Sequence, residues 1–194
     1  MPRRLGGIAA ALALMAGVPA AHAHPADSRL WTFVRHTASI REGTRPVRLY
    51  VFFDPNCPYC HDLYEALQPF IRRQAIGVRW APVGILAMSS YGKAAALLES
   101  AHPAAALAAM EQGFHGGRGA VRPERATPPV ARGLLYNSRL FEAAGAEGVP
   151  FLVYKARGGR VHTVMGDPPA QALARIVARI GGSPPRSTPQ TAAP

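Results

Sequence analysis

One stretch of the chain constrains its fold more than any other. An apolar run at residues 47–53 passes through a short Asp-Pro-Asn turn into Cys57-Pro58-Tyr59-Cys60-His61. The run has the length of a strand and a near-continuous apolar end, which is typical of a central strand covered on both faces. After Pro58 an amphipathic helical pattern begins, with its apolar side formed by Leu63, Tyr64, Leu67, Phe70 and Ile71. The sequence therefore predicts a buried strand that leads two cysteines into the first turn of a helix.

The two cysteines of this motif are the only ones in the chain. As a structural crosslink they would close a loop of about four residues, which stabilises a fold by only roughly 2 kcal/mol. A thiol at a helix N-terminus is instead stabilised as thiolate by unpaired N–H groups and the helix dipole. Pro58 suits the first helical position, where its missing N–H has no partner. We therefore predict a redox-active pair in which Cys57 attacks and Cys60, one turn into the helix, resolves.

The N-terminal residues predict export. Arg3 and Arg4 precede a short apolar run at residues 8–18, and Ala21-His22-Ala23 is a typical cleavage site. Residues 1–23 are therefore predicted to be a secretory signal peptide, and the apolar run is too short for a stable membrane span. Export would place the cysteines in an oxidising compartment, where such a pair can turn over as a disulfide.

The chain is strongly basic, with 22 Lys and Arg against 11 Asp and Glu. The arginines are scattered singly, and no basic run is interleaved with aromatic residues, so the pattern argues against nucleic-acid binding. The excess charge indicates a solvated basic surface with some preference for acidic partners.

The remaining segments predict a mixed α/β chain. Residues 24–46 are interpreted as an N-terminal helix, capped by Asp27 or Ser28, and a linker with a turn at 41–46. Residues 78–86 predict a second buried strand. Helical patterns follow at 91–100 and 103–114, and a third helix is expected from Asn137, as its cap, to about Gly145.

The C-terminal part predicts a hairpin and a last helix. A strand at 148–154 is entered through Pro150, a turn at 156–159 connects it to a strand at 160–165, and Pro169 opens a helix that ends at Gly181-Gly182. Residues 183–194 are rich in Pro, Ser and Thr and predict a disordered tail.

This order of elements resembles a thioredoxin-like fold, and more narrowly the catalytic domain of the periplasmic thiol:disulfide interchange proteins DsbG and DsbC. The matching segments are residues 50–60, 82–86 and 145–154. The resemblance implies an α/β thioredoxin-like domain at 47–182, with a helical insertion at about 89–145 between the second strand and the strand that follows a cis-proline.

The resemblance also implies roles for individual residues. Pro150 would be the cis-proline that faces the disulfide, and it would hold Val149 open to pair with a substrate strand. Pro58 and Tyr59 would contribute to the substrate surface. No cofactor is expected beyond the redox-active disulfide, and the expected partners are exported proteins with thiols or disulfides and a redox partner that recycles the enzyme.

Two residues beside the cysteines have open interpretations. Asp54 is a candidate base for the Cys60 proton, or simply an Asp-Pro turn former. His61 lies one helical turn after Cys57 and could tune the thiolate when protonated, or be an ordinary exposed helix residue.

Two departures from the family concern its isomerase members. Residues 24–46 leave no room for the N-terminal dimerisation domain of DsbC and DsbG. Val149 stands where those proteins have Thr and where the oxidase DsbA has Val. Both departures predict a monomeric, oxidase- or reductase-like protein rather than a dimeric isomerase.

Two alternatives use the same motif. Cys-Pro-Tyr-Cys-His is formally the c-type haem attachment pattern, with His61 as proximal ligand and Met165 as a candidate distal one. Cys57, Cys60 and His61 could instead bind Cu(I) or Zn(II) in a metal carrier. The leading interpretation assigns no metal. Four further histidines show no metal-ligand spacing and are predicted to lie at the surface: His36, His102, His115 and His162.

Overall fold

The computed structural model describes residues 24–181, so the predicted signal peptide at 1–23 and the predicted tail at 183–194 lie outside the described residues. Six strands form one sheet: β1 His24–Ala26, β2 Ile40–Glu42, β3 Val47–Phe53, β4 Gly77–Pro82, β5 Phe151–Lys155 and β6 Val161–Met165. Their spatial order is β1-β6-β5-β3-β4-β2. β3 runs parallel to β4, and every other neighbouring pair is antiparallel.

Six helices accompany the sheet: α1 Ser28–Val34, α2 Pro58–Arg72, α3 Ser90–Glu99, α4 Pro103–Gln112, α5 Pro128–Ala143 and α6 Ala170–Ile180. α3, α4 and α5 all lie between β4 and β5, where the sequence predicted inserted helices. Within residues 24–181, no helix is both long enough and apolar enough to cross a membrane.

The strand that precedes the cysteines is central, as predicted. β3 lies between β4 and β5, and its residues 49–53 are all buried. Leu49, Val51 and Phe53 pack into the core formed with α2, α4 and α6. Tyr50 and Phe52 pack into a second core, formed on the opposite face with α1 and α5. Because successive side chains of a strand point to opposite faces, both faces of β3 are covered and its end is fixed in place.

The helix that follows the cysteines packs through the predicted apolar face. Leu63, Tyr64, Leu67, Phe70 and Ile71 are all buried in the core shared with β3. Pro69 lies inside α2, and the helix continues past it to Arg72. The cysteines are therefore held between a buried strand and a helix anchored along its length.

The structure corrects three predicted segments. Residues 40–42 are not part of a linker and turn but form β2, which pairs antiparallel with β4. The second predicted strand ends at Pro82, not at residue 86. The third inserted helix begins at Pro128, nine residues before the predicted start.

The contacts of Asn137 explain why the predicted start of the third inserted helix was wrong. Its side chain does not cap a helix but lies buried in the middle of α5. There its amide group donates to the carbonyl oxygens of Ala38 and Pro82 and accepts from the Ala38 N–H. Asn137 therefore fastens the inserted helix to the segment before β2 and to the end of β4.

Candidate active site

The cysteine pair lies where β3 passes into α2. Cys57 is the N-cap of α2, and its backbone N–H donates to the Asp54 carbonyl oxygen at 3.0 Å. Its Sγ accepts a hydrogen bond from the Cys60 backbone N–H at 3.1 Å. Both residues are free thiols, 2% and 1% exposed respectively, so exposure does not distinguish them.

The pKa values of the two thiols shift in opposite directions. The pKa of Cys57 is lowered, chiefly because the Cys60 side chain hydrogen-bonds to it, with further help from backbone N–H groups and against the effect of burial. The pKa of Cys60 is raised, first by burial and then by its hydrogen bond to Cys57 and the charge of Cys57. Cys57 is therefore the thiol that ionises, while Cys60 holds its proton.

The Val149–Pro150 peptide bond is cis, the isomer that the family resemblance implied. Val149 is partly buried, and its carbonyl oxygen lies 3.6 Å from the Cys57 Sγ. Pro150 is buried, and its own carbonyl oxygen accepts the Gly166 N–H at 2.8 Å. The structure thus brings together four of the predicted site residues: Cys57, Cys60, Val149 and Pro150.

The two residues between the cysteines face solvent. Pro58 and Tyr59 are exposed, and Tyr59 is 65% exposed despite its large ring. They lie on the first turn of α2, beside the buried sulfur of Cys57. A molecule that approaches this sulfur along the helix end would meet both side chains.

Asp54 is a fully occupied hydrogen-bond acceptor. One carboxylate oxygen accepts from the Asn56 N–H at 2.8 Å and the Ser90 hydroxyl at 2.7 Å. The other accepts from the backbone N–H groups of Ile85 and Leu86 at 2.8 and 3.0 Å. Two of these bonds tie the turn after β3 to the loop after β4, and the bond from Ser90 ties it to the start of α3. The arrangement favours the turn-forming interpretation of Asp54 over a role in moving the Cys60 proton.

A buried lysine supports the same turn, and sequence reasoning did not identify it. Lys93 of α3 is 6% exposed, and its Nζ donates to Asn56 Oδ1 and to the Gly119 carbonyl oxygen, both at 2.7 Å. Burial lowers the pKa of Lys93, and the positive charge of Arg118 lowers it further. Asn56 in turn donates to the Ser90 hydroxyl at 2.8 Å. The residue directly before Cys57 is therefore held by the helical insertion.

The sequence did contain a signal for this lysine. Lys93 stands alone among small and apolar residues in the Tyr-Gly-Lys-Ala-Ala-Ala-Leu-Leu segment of α3. A single charge on an otherwise apolar helix must either reach solvent or find buried partners. Here it finds two carbonyl oxygens.

His61 is paired with a second unpredicted residue, Glu111 of α4. The His61 Nδ1 lies 2.8 Å from a carboxylate oxygen of Glu111. The His61 ring also stacks on the Phe114 ring, with centroids 4.5 Å apart and planes 5° from parallel. Glu111 is 3% exposed, and burial raises its pKa to about 7 although His61 acts in the opposite direction. His61 is therefore engaged by the insertion and is not a free surface residue.

The geometry fits the haem alternative poorly. Thioether bonds to haem require both sulfurs to reach a porphyrin edge, and both are buried. One face of the His61 ring is covered by Phe114, with ring centroids 4.5 Å apart. The candidate distal ligand, Met165, ends β6 and is 39% exposed.

The geometry of the metal alternative is also unfavourable. In the part of the chain that the structure describes, no three His, Cys, Asp or Glu side chains converge as ligands. His36, His102 and His115 are exposed as predicted, but His162 is partly buried and stacks on Tyr154 with ring centroids 5.1 Å apart.

A comparison with known families agrees with this geometry. The family model described as "thioredoxin-like domain" matches residues 35–181. The chain belongs to this family. The match confirms the predicted fold class, and the three helices between β4 and β5 lie within the matched residues.

Two curated proteins and one solved structure are similar to this chain. The thiol:disulfide interchange protein DsbG of Pseudomonas aeruginosa is 33% identical over 156 residues, and DsbG of Escherichia coli is 27% identical over 152 residues. These alignments cover 79% and 77% of this chain but only 60% of each DsbG protein. Among solved structures, a periplasmic thioredoxin-like protein from Salmonella enterica serovar Typhimurium superposes with a TM-score of 0.63 at 21% identity, covering 80% of this chain and 97% of that one.

Proposed function

We propose that this chain is a thiol–disulfide oxidoreductase that acts on exported proteins through Cys57 and Cys60. One observation carries the proposal. The Cys57 Sγ lies at the N-terminus of α2, accepts the Cys60 N–H at 3.1 Å and lies 3.6 Å from the Val149 carbonyl oxygen. The likeness to two proteins named thiol:disulfide interchange proteins supports it.

In the reductive direction the reaction has two steps. The Cys57 thiolate attacks one sulfur of a substrate disulfide, a Cys57–substrate bond forms, and the other substrate sulfur leaves as thiolate and takes up a proton. Cys60 then loses its proton and attacks the Cys57 sulfur. The Cys57–Cys60 disulfide forms, the second substrate thiolate is released, and two electrons have passed to the substrate. Oxidation of a dithiol substrate is the same sequence reversed.

The residues around the sulfur have assigned roles in this proposal. Val149 offers its backbone to an extended substrate segment, and Pro150 fixes the loop that presents it. Pro58 and Tyr59 form the exposed rim that the substrate meets first. Asp54 positions the turn, and His61 with Glu111 holds the first turn of α2 against the insertion.

We further propose a periplasmic, monomeric protein of oxidase or reductase type that a redox partner recycles. The N-terminal pattern and the periplasmic Salmonella protein support this location. Val149 supports an oxidase or reductase over an isomerase. Equilibration with glutathione measures the reduction potential of the Cys57–Cys60 pair and so the direction of electron flow. A potential of about −120 mV indicates an oxidant, and one of about −270 mV indicates a reductant.

The decisive experiment is a comparison of two variants in reduction of a protein disulfide. Cys57→Ser should abolish activity. Cys60→Ser should also stop turnover but accumulate a mixed disulfide through Cys57, visible by non-reducing mass analysis. Full activity in Cys57→Ser would refute the proposal, as would a mixed disulfide that forms through Cys60 in Cys57→Ser.

A further inference from the structure

Exposed apolar side chains concentrate on one side of the cysteine pair. Eight large apolar side chains are exposed in the described part of the chain. Half of them fall in the short segment that follows β4 and enters α3: Ile85, Leu86, Met88 and Tyr91. Met88 is fully exposed. An apolar patch of this kind on a folded domain marks a contact surface for another molecule.

This segment forms one wall of a groove beside the active site. The groove has a volume of about 360 Å³ and is lined by Asn56, Leu86, Ala87, Met88, Ser89, Gly117 and Arg118. Asn56 directly precedes Cys57. On the opposite wall, a Cβ placed on Gly117 would lie 3.8 Å from Pro58 Cγ, so this wall touches the first turn of α2.

The sheet order places the groove across Cys57 from the cis-proline loop. β5 and β4 are the two neighbours of β3, on opposite sides of it. Val149 and Pro150 immediately precede β5, whereas the apolar wall at 85–89 follows β4. An extended segment that pairs with Val149 and passes the Cys57 sulfur would therefore continue into the groove.

The groove has one charged side chain, Arg118. Arg118 is exposed, and within residues 24–181 no carboxylate lies within ion-pair distance of its guanidinium. Behind Asn56, the buried Lys93 carries a second positive charge, which the negative charge of Asp54 opposes, so Arg118 is the charge that the groove presents to solvent. The groove therefore joins an apolar wall to an unneutralised positive charge.

We propose that this groove selects substrate segments in which the reacting cysteine is flanked by an apolar and an acidic residue. Leu86 and Met88 contact the apolar side chain, and Arg118 pairs with the carboxylate. The inference rests on the proposed function and specifies its substrate class. It would also give a local basis for the preference for acidic partners that the net charge predicts.

The test measures second-order rate constants for single-turnover reduction of disulfide peptides by the dithiol protein. Two peptides differ only in carrying Glu-Leu or Lys-Leu beside each cysteine. The wild type should reduce the Glu peptide about fivefold faster, as expected for a partly exposed ion pair, and the preference should decline with added salt. Arg118→Glu should invert the preference, so that the Lys peptide is reduced faster than the Glu peptide. The control Arg125→Glu makes the same charge change at an exposed arginine outside the groove, and it should leave the ratio of the two rate constants unchanged.

A third peptide, with Gly in place of Leu, tests the apolar wall. Met88→Ser should slow reduction of the Glu-Leu peptide about twofold or more and leave the rate for the Glu-Gly peptide unchanged. Equal rates for Glu and Lys peptides in the wild type, or a ratio that Arg118→Glu does not change, would overturn the groove assignment while leaving the oxidoreductase intact. Failure to reduce any peptide would instead refute the proposed function.

Discussion

The backbone N–H of Cys60 donates a hydrogen bond of 3.1 Å to the Sγ of Cys57. This contact follows from the two-residue spacing, because a side chain at the N-cap accepts from N–H groups in the first turn of its helix. It helps to lower the pKa of Cys57, after the larger effect of the hydrogen bond from the Cys60 side chain. Cys57 receives donors that stabilise its anion, whereas Cys60 is buried beside that negative charge. The local geometry of one helical turn thus sets the order in which the cysteines react.

Replacing Lys93 by Met should loosen the turn before Cys57. The substitution keeps the bulk of the side chain but leaves Asn56 Oδ1 without its lysine donor and the Gly119 carbonyl oxygen with the Val121 N–H alone. Leaving a buried acceptor unpaired costs about 1–3 kcal/mol, so the free energy of unfolding, measured by urea titration, should fall by a similar amount. The same change in the second lysine, Lys155→Met, serves as control and should cost less than about 1 kcal/mol. A Lys93→Met protein as stable as the wild type would show that these bonds contribute nothing.

Gly119 should not tolerate a side chain. A Cβ at this position would lie 2.5 Å from the Pro55 carbonyl oxygen and 2.7 Å from Met110 Cγ. Gly119→Ala must therefore push the loop away from the active-site turn, at a cost of about 1–3 kcal/mol in thermal or urea unfolding. Gly158→Ala is the matched control, since a Cβ there meets nothing within 4 Å. Equal stability of the two variants would contradict the close approach.

Glu111 should make the stability of the dithiol protein depend on pH. Burial raises its pKa from 4.5 to about 7, so the folded state binds this proton more readily than the unfolded state. The free energy of unfolding should therefore fall as pH rises through that range, by about 1–3 kcal/mol. Glu111→Gln has no such proton, and its stability should fall less between pH 5 and pH 8.

The control for this experiment is Glu142→Gln, which removes an exposed carboxyl on α5. It should retain the wild-type pH dependence. If Glu111→Gln and the wild type lose the same stability between pH 5 and pH 8 in urea titrations, Glu111 does not titrate in this range.

Local patterns predicted the elements that carry the cysteines. The apolar run at 47–53 and the amphipathic stripe after Pro58 specify β3 and α2, since each has a period that matches its structure and lies in one continuous segment. β2 had no comparable signal. It is a three-residue edge strand, and its pairing with β4 is a tertiary contact between residues about 38 positions apart.

The unpredicted site residues share this non-local character. Asn137 suggested a helix cap because Asn favours that position in isolated helices, but its partners Ala38 and Pro82 lie 99 and 55 residues away. Lys93 and Glu111 reach the site from separate helices of the insertion. Their partners Asn56 and His61 lie 37 and 50 residues earlier in the chain, so no local pattern connects each pair.

The most direct test of the account is the pH dependence of alkylation of each thiol in the dithiol protein, with the modified cysteine identified by mass spectrometry after brief treatment with iodoacetamide. We expect Cys57 to react with a midpoint below the ordinary thiol pKa of about 8.5, and Cys60 to remain unmodified at every pH at which the protein stays folded. Equal reaction of both cysteines, or a Cys57 midpoint at or above the ordinary value, would contradict the assignment of Cys57 as the attacking thiolate.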